Sequence, residues 1–498
     1  MKNLINFIAI LSVCVFFSTC GDSASKPKTY HVSVSGNDAN NGSESKPWKT
    51  FERIPMDKLK PGDTIFLAAG DLFEASWKIN SLSGSKELPI VITSDAKNPA
   101  TINSGDAFGL WLENSKHVKI ENLHFTGSGR KSGNTQPGVY LVNCNETTVS
   151  HLDIQGYQKS GLHIHVSSDI VAGHINAHNN GFSGILVSGI YKRKDTSRNI
   201  HIHDCVATNN PGDPTVLDNH SGNGILVGNS THVVIEFCAA TENGWDMPRT
   251  GNGPVGIWAF ECDDVLIQYC IAYRNKTQKG AADGGGFDFD GGVTNSIMQY
   301  NLSYENEGAA FGIFQFEGAS PWYNNIVRYN ISVNDGSVSA ANAAIFIWNA
   351  NDDPSQFRDC YIYNNTVYNK KGAAISYEPQ SKHSNFHFYN NIFVVEDKFI
   401  EGTESAGTFE ANNWYSFSSN RQPLKGTNNQ TILPQFKNPE RFEITDPRKL
   451  PFLDAFQIPG PSPMKTSGID LKERFGWQTG DKDFNGRPAL INGMGACQ

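Results

Sequence analysis

Gly224-Ile-Leu-Val-Gly228, Gly256-Ile-Trp-Ala-Phe260, Gly286-Phe-Asp-Phe-Asp290 and Gly312-Ile-Phe-Gln-Phe316 repeat one pattern: a small residue, then residues that alternate in character with period two. The pattern extends outward to Gly138-Val-Tyr-Leu-Val142, Gly161-Leu-His-Ile-His165 and Gly184-Ile-Leu-Val-Ser188 upstream, and to Ala344-Ile-Phe-Ile-Trp348 and Ala374-Ile-Ser-Tyr-Glu378 downstream. Intervals between copies run from 23 to 40 residues. A second string follows each later copy: Asp204-Cys205, Phe237-Cys238, Tyr269-Cys270, Tyr300-Asn301, Tyr329-Asn330, Tyr363-Asn364 and Tyr389-Asn390. Helical repeats would place apolar residues three and four apart, whereas these strings alternate and favour Ile, Val, Phe and Tyr, so they read as strands. Short strands with Gly and Asn at the bends, at variable coil length, predict an all-β, right-handed parallel β-helix rather than a propeller with four-stranded blades. Asn301, Asn330, Asn364 and Asn390 are expected to stack at one bend, with Cys205, Cys238 and Cys270 continuing the column.

The remaining sequence is compatible with that solenoid. The 498 residues can bury a large core, and charged residues make up only 18%, which excludes a disordered chain. A net charge of -9 argues against duplex nucleic acid as partner. Residues 1–19 carry Lys2, an apolar run from Leu4 to Phe17 and a small-residue exit, the pattern of an export signal. Ser18-Thr19-Cys20 resembles a bacterial lipobox, which implies lipidation at Cys20. A polar linker (20–29), a β-helix with its N-terminal cap (30–403) and an irregular C-terminal cap (404–498) complete the expected organisation. The mature chain is expected to be an exported, monomeric lipoprotein that meets a membrane through that anchor alone. The seven later cysteines show no CxxC spacing and read as small buried hydrophobes.

Tyr30-His-Val-Ser-Val34 with Pro47-Trp-Lys-Thr-Phe51, the segment Asp283 to Gly292, and the tail Asp483-Phe-Asn-Gly-Arg-Pro488 strengthen the assignment. With the repeat, they resemble the pectate-lyase-like superfamily of parallel β-helix carbohydrate-active proteins. That resemblance implies the fold over nearly the whole mature chain and a glycan partner, but leaves the reaction open among lyases, hydrolases, esterases and adhesins.

Strand parity separates core from surface. Residues one and three after each small residue form the predicted core, and the others point outward: Tyr140, His163/His165, Leu186/Ser188, Leu226, Trp258/Phe260, Asp288/Asp290, Phe314/Phe316, Phe346/Trp348 and Ser376/Glu378. Six aromatics flanking one acidic pair predict a sugar-binding groove about 25 Å long. Loops leading into the same strands bring His220, Arg249 and Lys279, while Asp283 precedes the acidic pair. The insertion Tyr191 to Arg198 holds four basic residues in eight, with Lys192 and Arg193 at its centre, and suits an acidic glycan. His163 and His165 lie about 19 Å from Asp288 and read as a separate subsite or a structural pair.

Two reactions fit this groove. In β-elimination from a uronic acid, Asp283, Asp288 and Asp290 could hold a Ca2+ on the sugar carboxylate while Lys279, His220 or Arg249 takes the proton. Polysaccharide cleavage and dehydration at a chain end are both open on that route, which is the favoured expectation. In glycoside hydrolysis, Asp288 and Asp290, or one of them with Asp283 or Glu317, serve as acid and base. A non-catalytic glycan-binding solenoid is the third reading.

Overall fold

The computed structural model describes residues 26–338, 343–351, 353–377, 382–402, 407–418, 425–477 and 479–498. The export signal, Cys20 and Glu378 lie outside the described residues. Every pairing between extended strands is parallel, and each strand hydrogen-bonds to its equivalent one coil away. One face of the solenoid is a twelve-stranded sheet from Trp77–Asn80 to Ile400–Glu401. The other faces form a 24-stranded sheet that bends around the axis. Strands at Gly407–Glu410 and Asn413–Ser416 pair onto the preceding coil, so the coils run beyond the boundary expected at 403.

Parity places the core as the alternation predicts. Ile225, Val227, Ile257, Ala259, Phe287 and Phe289 point inward and are fully buried. Each such Ile or Phe stabilises the fold by roughly 1.5–3 kcal/mol relative to an exposed position. All seven cysteines from Cys144 to Cys497 are buried and unpaired; burial holds the thiol of Cys262 up at about 12.

The bends are tied by amide ladders, and here the sequence expectation needs correction. Asn301 donates to Asn330, Asn330 to Asn365, Asn365 to Asn391 and Asn391 to Asn412, at 3.0–3.1 Å. Asn364 and Asn390 are absent from the column. They occupy the left-handed bend position (φ 53° and 55°) that Tyr300 and Tyr329 fill in neighbouring coils. Asn tolerates this conformation better than most residues, so it takes the bend and the next Asn takes the ladder. A second ladder runs through Asn210, Asn243, Asn275 and Asn306 to Asp335. Its members lie five residues after Cys205, Cys238, Cys270, Asn301 and Asn330, an offset visible in the sequence but not used above.

Asn330→Leu strands the Asn301 backbone N–H and the Met298 carbonyl as well as two ladder amides. The expected loss is on the order of 3 kcal/mol, read as a lower urea midpoint. An unchanged midpoint would show that the ladder is not a source of stability.

Residues 427–430 bridge onto the last strands at Glu410 and Asn413, and the segment beyond them leaves that end. Leu450, Phe456, Met464, Phe484 and Met494 pack along the side of the solenoid against Tyr300, Tyr329, Tyr363 and Tyr389. Tyr300 donates to the Lys482 carbonyl at 3.0 Å and Tyr304 to that of Ile444 at 3.2 Å. No helix among the described residues is long and apolar enough to cross a membrane.

Candidate functional site

The outward face of the twelve-stranded sheet carries a pocket of about 640 Å³. Four adjacent strands form its floor: Val255–Phe260, Gly285–Phe289, Phe311–Gln315 and Ala343–Asn349. Trp258 stands beside Asp288, Asp288 beside Gly312, and Gly312 beside Phe346. Four coils at ~4.8 Å give a floor about 14 Å long, shorter than the predicted groove. The aromatics line it as walls, with Trp258 3% exposed and Phe314 and Phe346 each 7%. Phe314 meets Phe346 edge-on at 5.2 Å and Trp348 at 6.2 Å.

The register differs from the repeat alignment by two residues at one coil. Phe287 pairs with Phe311 and Phe289 with Ile313, so Ala310, not Gly312, is the small residue that opens this strand. An even shift preserves parity, and the core assignment survives. Its consequence is local: Gly312 faces outward next to Asp288. A Cβ there would lie 3.0 Å from Asp288 Cγ and 2.7 Å from Phe314 Cε2.

Three carboxyl groups meet in the pocket. Asp283 comes from the loop before the strand, with left-handed backbone (φ 58°), and its Oδ2 accepts from the Gly253 N–H at 2.7 Å. Burial raises its pKa to about 6, and that N–H opposes the rise. Asp290 Oδ1 accepts from the Gly291 N–H at 2.7 Å; burial and the charges of Asp283 and Glu261 carry it to about 7. Asp288 is pushed higher by burial, then by Asp290 and Asp283. Its Oδ1 is buried without a hydrogen-bond partner. Like charges packed in a dry site cannot all ionise, so the three separate into an ionised group and protonated ones near neutrality.

His220 is buried on the opposite wall, edge-on to Trp258 at 4.7 Å. Burial, followed by the charge of Arg249, lowers it to about 4, so it is neutral. Its Nδ1 lies 3.1 Å from Asn223 Nδ2, and Asn223 Oδ1 accepts from Trp258 Nε1. The amide thus donates to Nδ1, which assigns the imidazole proton to Nε2 and makes His220 a donor.

The structure brings together Asp283, Asp288, Asp290, His220, Trp258, Phe260, Phe314, Phe316, Phe346 and Trp348. Several other candidates lie elsewhere. Lys279 is exposed on a loop outside the lining. Arg249 is outside the lining, its guanidinium over Gly251 with Nη1 buried and without a partner, near enough to His220 for its charge to act there. Lys192 donates to the Gly318 carbonyl, and Arg193 lies exposed 3.6 Å from Asp195; Tyr191, from the same insertion, reaches the pocket instead. His163 and His165 both bond Ser188 Oγ, at 2.8 and 2.9 Å, and His163 stacks on Tyr140. They form a structural pair remote from the pocket. Glu317 is exposed outside the lining. Asn219, Asn252 and Tyr191 line the pocket without having been singled out; loop residues carry no periodic signal that would reveal them.

A divalent cation fits this donor set poorly. Calcium takes six to eight oxygens, while one oxygen each of Asp283 and Asp290 already accepts a backbone N–H. Three ligand atoms do converge within 4.8 Å of one another at His174, His203 and Asp204, not at the aspartate trio. There, both Asp204 oxygens take the Arg448 guanidinium at 2.6 and 2.7 Å.

Comparison with known proteins sets this chain in a family. The model of the Pel9A-like, right-handed β-helix region matches residues 30–385. The chain belongs to that family. A lacto-N-biosidase of Bifidobacterium longum subsp. longum is 25% identical over 520 residues, spanning 79% of this chain and 31% of that protein. The chain therefore covers about a third of that relative's length. Among solved structures, a GH136 lacto-N-biosidase from Eubacterium ramulus aligns at 19% identity and a TM-score of 0.56, over 76% of this chain and 68% of that one. A PL6 family alginate lyase aligns at 14% and 0.50, over 78% and 53%. Both likenesses are of fold.

Proposed function

We propose that this β-helix protein is a glycoside hydrolase that cleaves a neutral glycan with the aspartates of the pocket. One observation carries the reading: all charged residues in the lining are aspartates, Asp283, Asp288 and Asp290. Elimination from a uronate needs donors or a cation on the sugar carboxylate and a base at C5. The lining holds no cationic side chain to neutralise that carboxylate, and an ionised Asp283 repels it. Paired carboxyls with separated pKa values are what acid-base hydrolysis needs.

The roles follow from the environments. Asp283, the lowest of the three, is ionised and acts as base or nucleophile. Asp290, protonated up to about pH 7, gives its proton to the leaving oxygen. Asp288 stays neutral and donates to a sugar hydroxyl, as does His220 Nε2. The aromatic walls exclude water and pack on the C–H faces of the sugar. Activity should rise through pH 6 as Asp283 ionises and fall above pH 7 as Asp290 loses its proton; a pH–rate profile flat from 5 to 8 would contradict these roles.

The decisive screen offers neutral oligosaccharides, including chains ending in lacto-N-biose because of the Bifidobacterium relative, alongside alginate and polygalacturonate. New reducing ends from a neutral substrate, insensitive to EDTA, support hydrolysis. Ultraviolet absorbance of an unsaturated uronate, abolished by EDTA, would instead establish elimination. Export and attachment through Cys20 belong to the same proposal, since a glycan polymer is met outside the cytoplasm; incorporation of labelled palmitate, lost in Cys20→Ala, tests it.

A further inference from the structure

The turn Asp290–Gly292, which ends the central strand, is gripped from three directions. Gly291 N–H donates to Asp290 Oδ1, and the Gly291 carbonyl accepts from the Glu261 N–H at 2.7 Å. Gly292 N–H donates to Gln315 Oε1 at 3.1 Å. The Gly292 carbonyl accepts from Lys194 Nζ, which also lies 3.3 Å from Thr294 Oγ1. Lys194 comes from the basic insertion 98 residues upstream. In the run Lys192, Arg193, Lys194 and Arg198, it is the one basic residue not exposed. Its ammonium is partly stripped of water, and Glu261, Cys262 and Asp263 oppose the resulting fall in pKa.

Glu261 completes the arrangement. It is fully buried, with Oε1 accepting from the Ser320 N–H at 2.8 Å and Oε2 lacking a partner. Gly292 has φ 75°, and a Cβ on it would lie 2.6 Å from that free oxygen, so the carboxylate presses against the turn. The insertion therefore plants a cation beside a buried carboxylate and holds the turn two peptide bonds beyond the N–H that Asp290 accepts.

We propose that Lys194 is a positioning residue for Asp290, acting through the Gly292 carbonyl and the charge of Glu261 and never touching the glycan. The inference rests on Asp290 being the proton donor. The groups facing Asp290 are Asp283, Asp288 and Glu261, and Lys194 bears on it through Glu261. Removing Lys194 frees the turn, weakens the Gly291–Asp290 bond and leaves Glu261 uncompensated. All three changes raise the Asp290 midpoint.

The test is Lys194→Met with Lys194→Arg as rescue. The carboxyl-carbon NMR titration of Asp290, assigned with Asp290→Asn, should move to higher pH in Lys194→Met and return in Lys194→Arg. On the most active neutral oligosaccharide of the screen, kcat should fall about tenfold with KM nearly constant, and its alkaline limb should move upward. If Lys194→Met does not fold, Lys194→Gln, which keeps a donor but not the charge, takes its place. An unmoved Asp290 titration, or a change confined to KM, overturns the positioning role. Full activity in Asp290→Asn would instead overturn the proposed function, whatever Lys194 does, so the two failures are distinguishable.

Discussion

Asp290→Asn is expected to lower kcat on a neutral oligosaccharide by about 10³-fold while leaving the solenoid intact. The amide retains the shape of the carboxyl group and can still accept from the Gly291 N–H, but it has no acidic proton for a leaving oxygen. KM should change little, because a proton delivered only in the transition state contributes nothing to ground-state binding. Stability should respond in the opposite sense. Asp290 is held at about 7, above its unfolded value, so the folded state binds its proton more tightly. The stabilisation this gives is complete below the unfolded pKa, near 4, and is lost as pH rises through about 7. Asn cannot ionise, so the melting temperature of the variant should overtake that of the parent above pH 7. Near-parental turnover in a folded Asp290→Asn protein would remove Asp290 from the reaction.

Gly312→Val should be nearly as damaging without altering any ionisable group. A Cβ at this position would lie 3.0 Å from Asp288 Cγ and closer still to Phe314 Cε2. Neither neighbour can retreat, since Asp288 is packed at 2% exposure and Phe314 is wedged against Phe346 and Trp348. The new side chain would fill the pocket floor between Asp288 and Phe346 and displace the sugar. A displacement of about 1 Å at a reacting centre costs on the order of 100-fold, and kcat/KM is expected to fall by that factor. The clash is confined to one outward strand position, so circular dichroism should remain that of the parent while overpacking lowers stability by about 1–3 kcal/mol. Unchanged kcat/KM would mean that the glycan does not lie over Asp288.

The parts of the site that came directly from the sequence are those lying on strands. Asp288, Asp290, Trp258 and Phe346 were placed on the outward face by parity alone, and the structure puts all four in the lining of one pocket. Parity tolerated even the misalignment at Gly312, because an error of two residues returns every side chain to its own face. The residues misplaced or missed sit on loops. Lys279 and Arg249 were assigned from the edge their loops occupy, and that edge does not fix where a flexible side chain ends. The basic insertion looked like a substrate clamp by charge count, yet Lys192 and Lys194 hold backbone carbonyls of other coils. The Asn364/Asn365 error has a similar origin: aligning tyrosines ignored which residue best adopts a left-handed bend.

The sequence by itself therefore determined the parallel solenoid, its buried column and the outward projection of an acidic pair among aromatics, because a period of two is a local property that each strand expresses without its neighbours. Only the tertiary structure decided that the aromatics close into a pocket rather than an open rail, that Gly312 makes room beside Asp288, and that three aspartates share one poorly hydrated space. Those features depend on register between coils and on how far loops separated by a hundred residues reach across them, distances that no local pattern encodes.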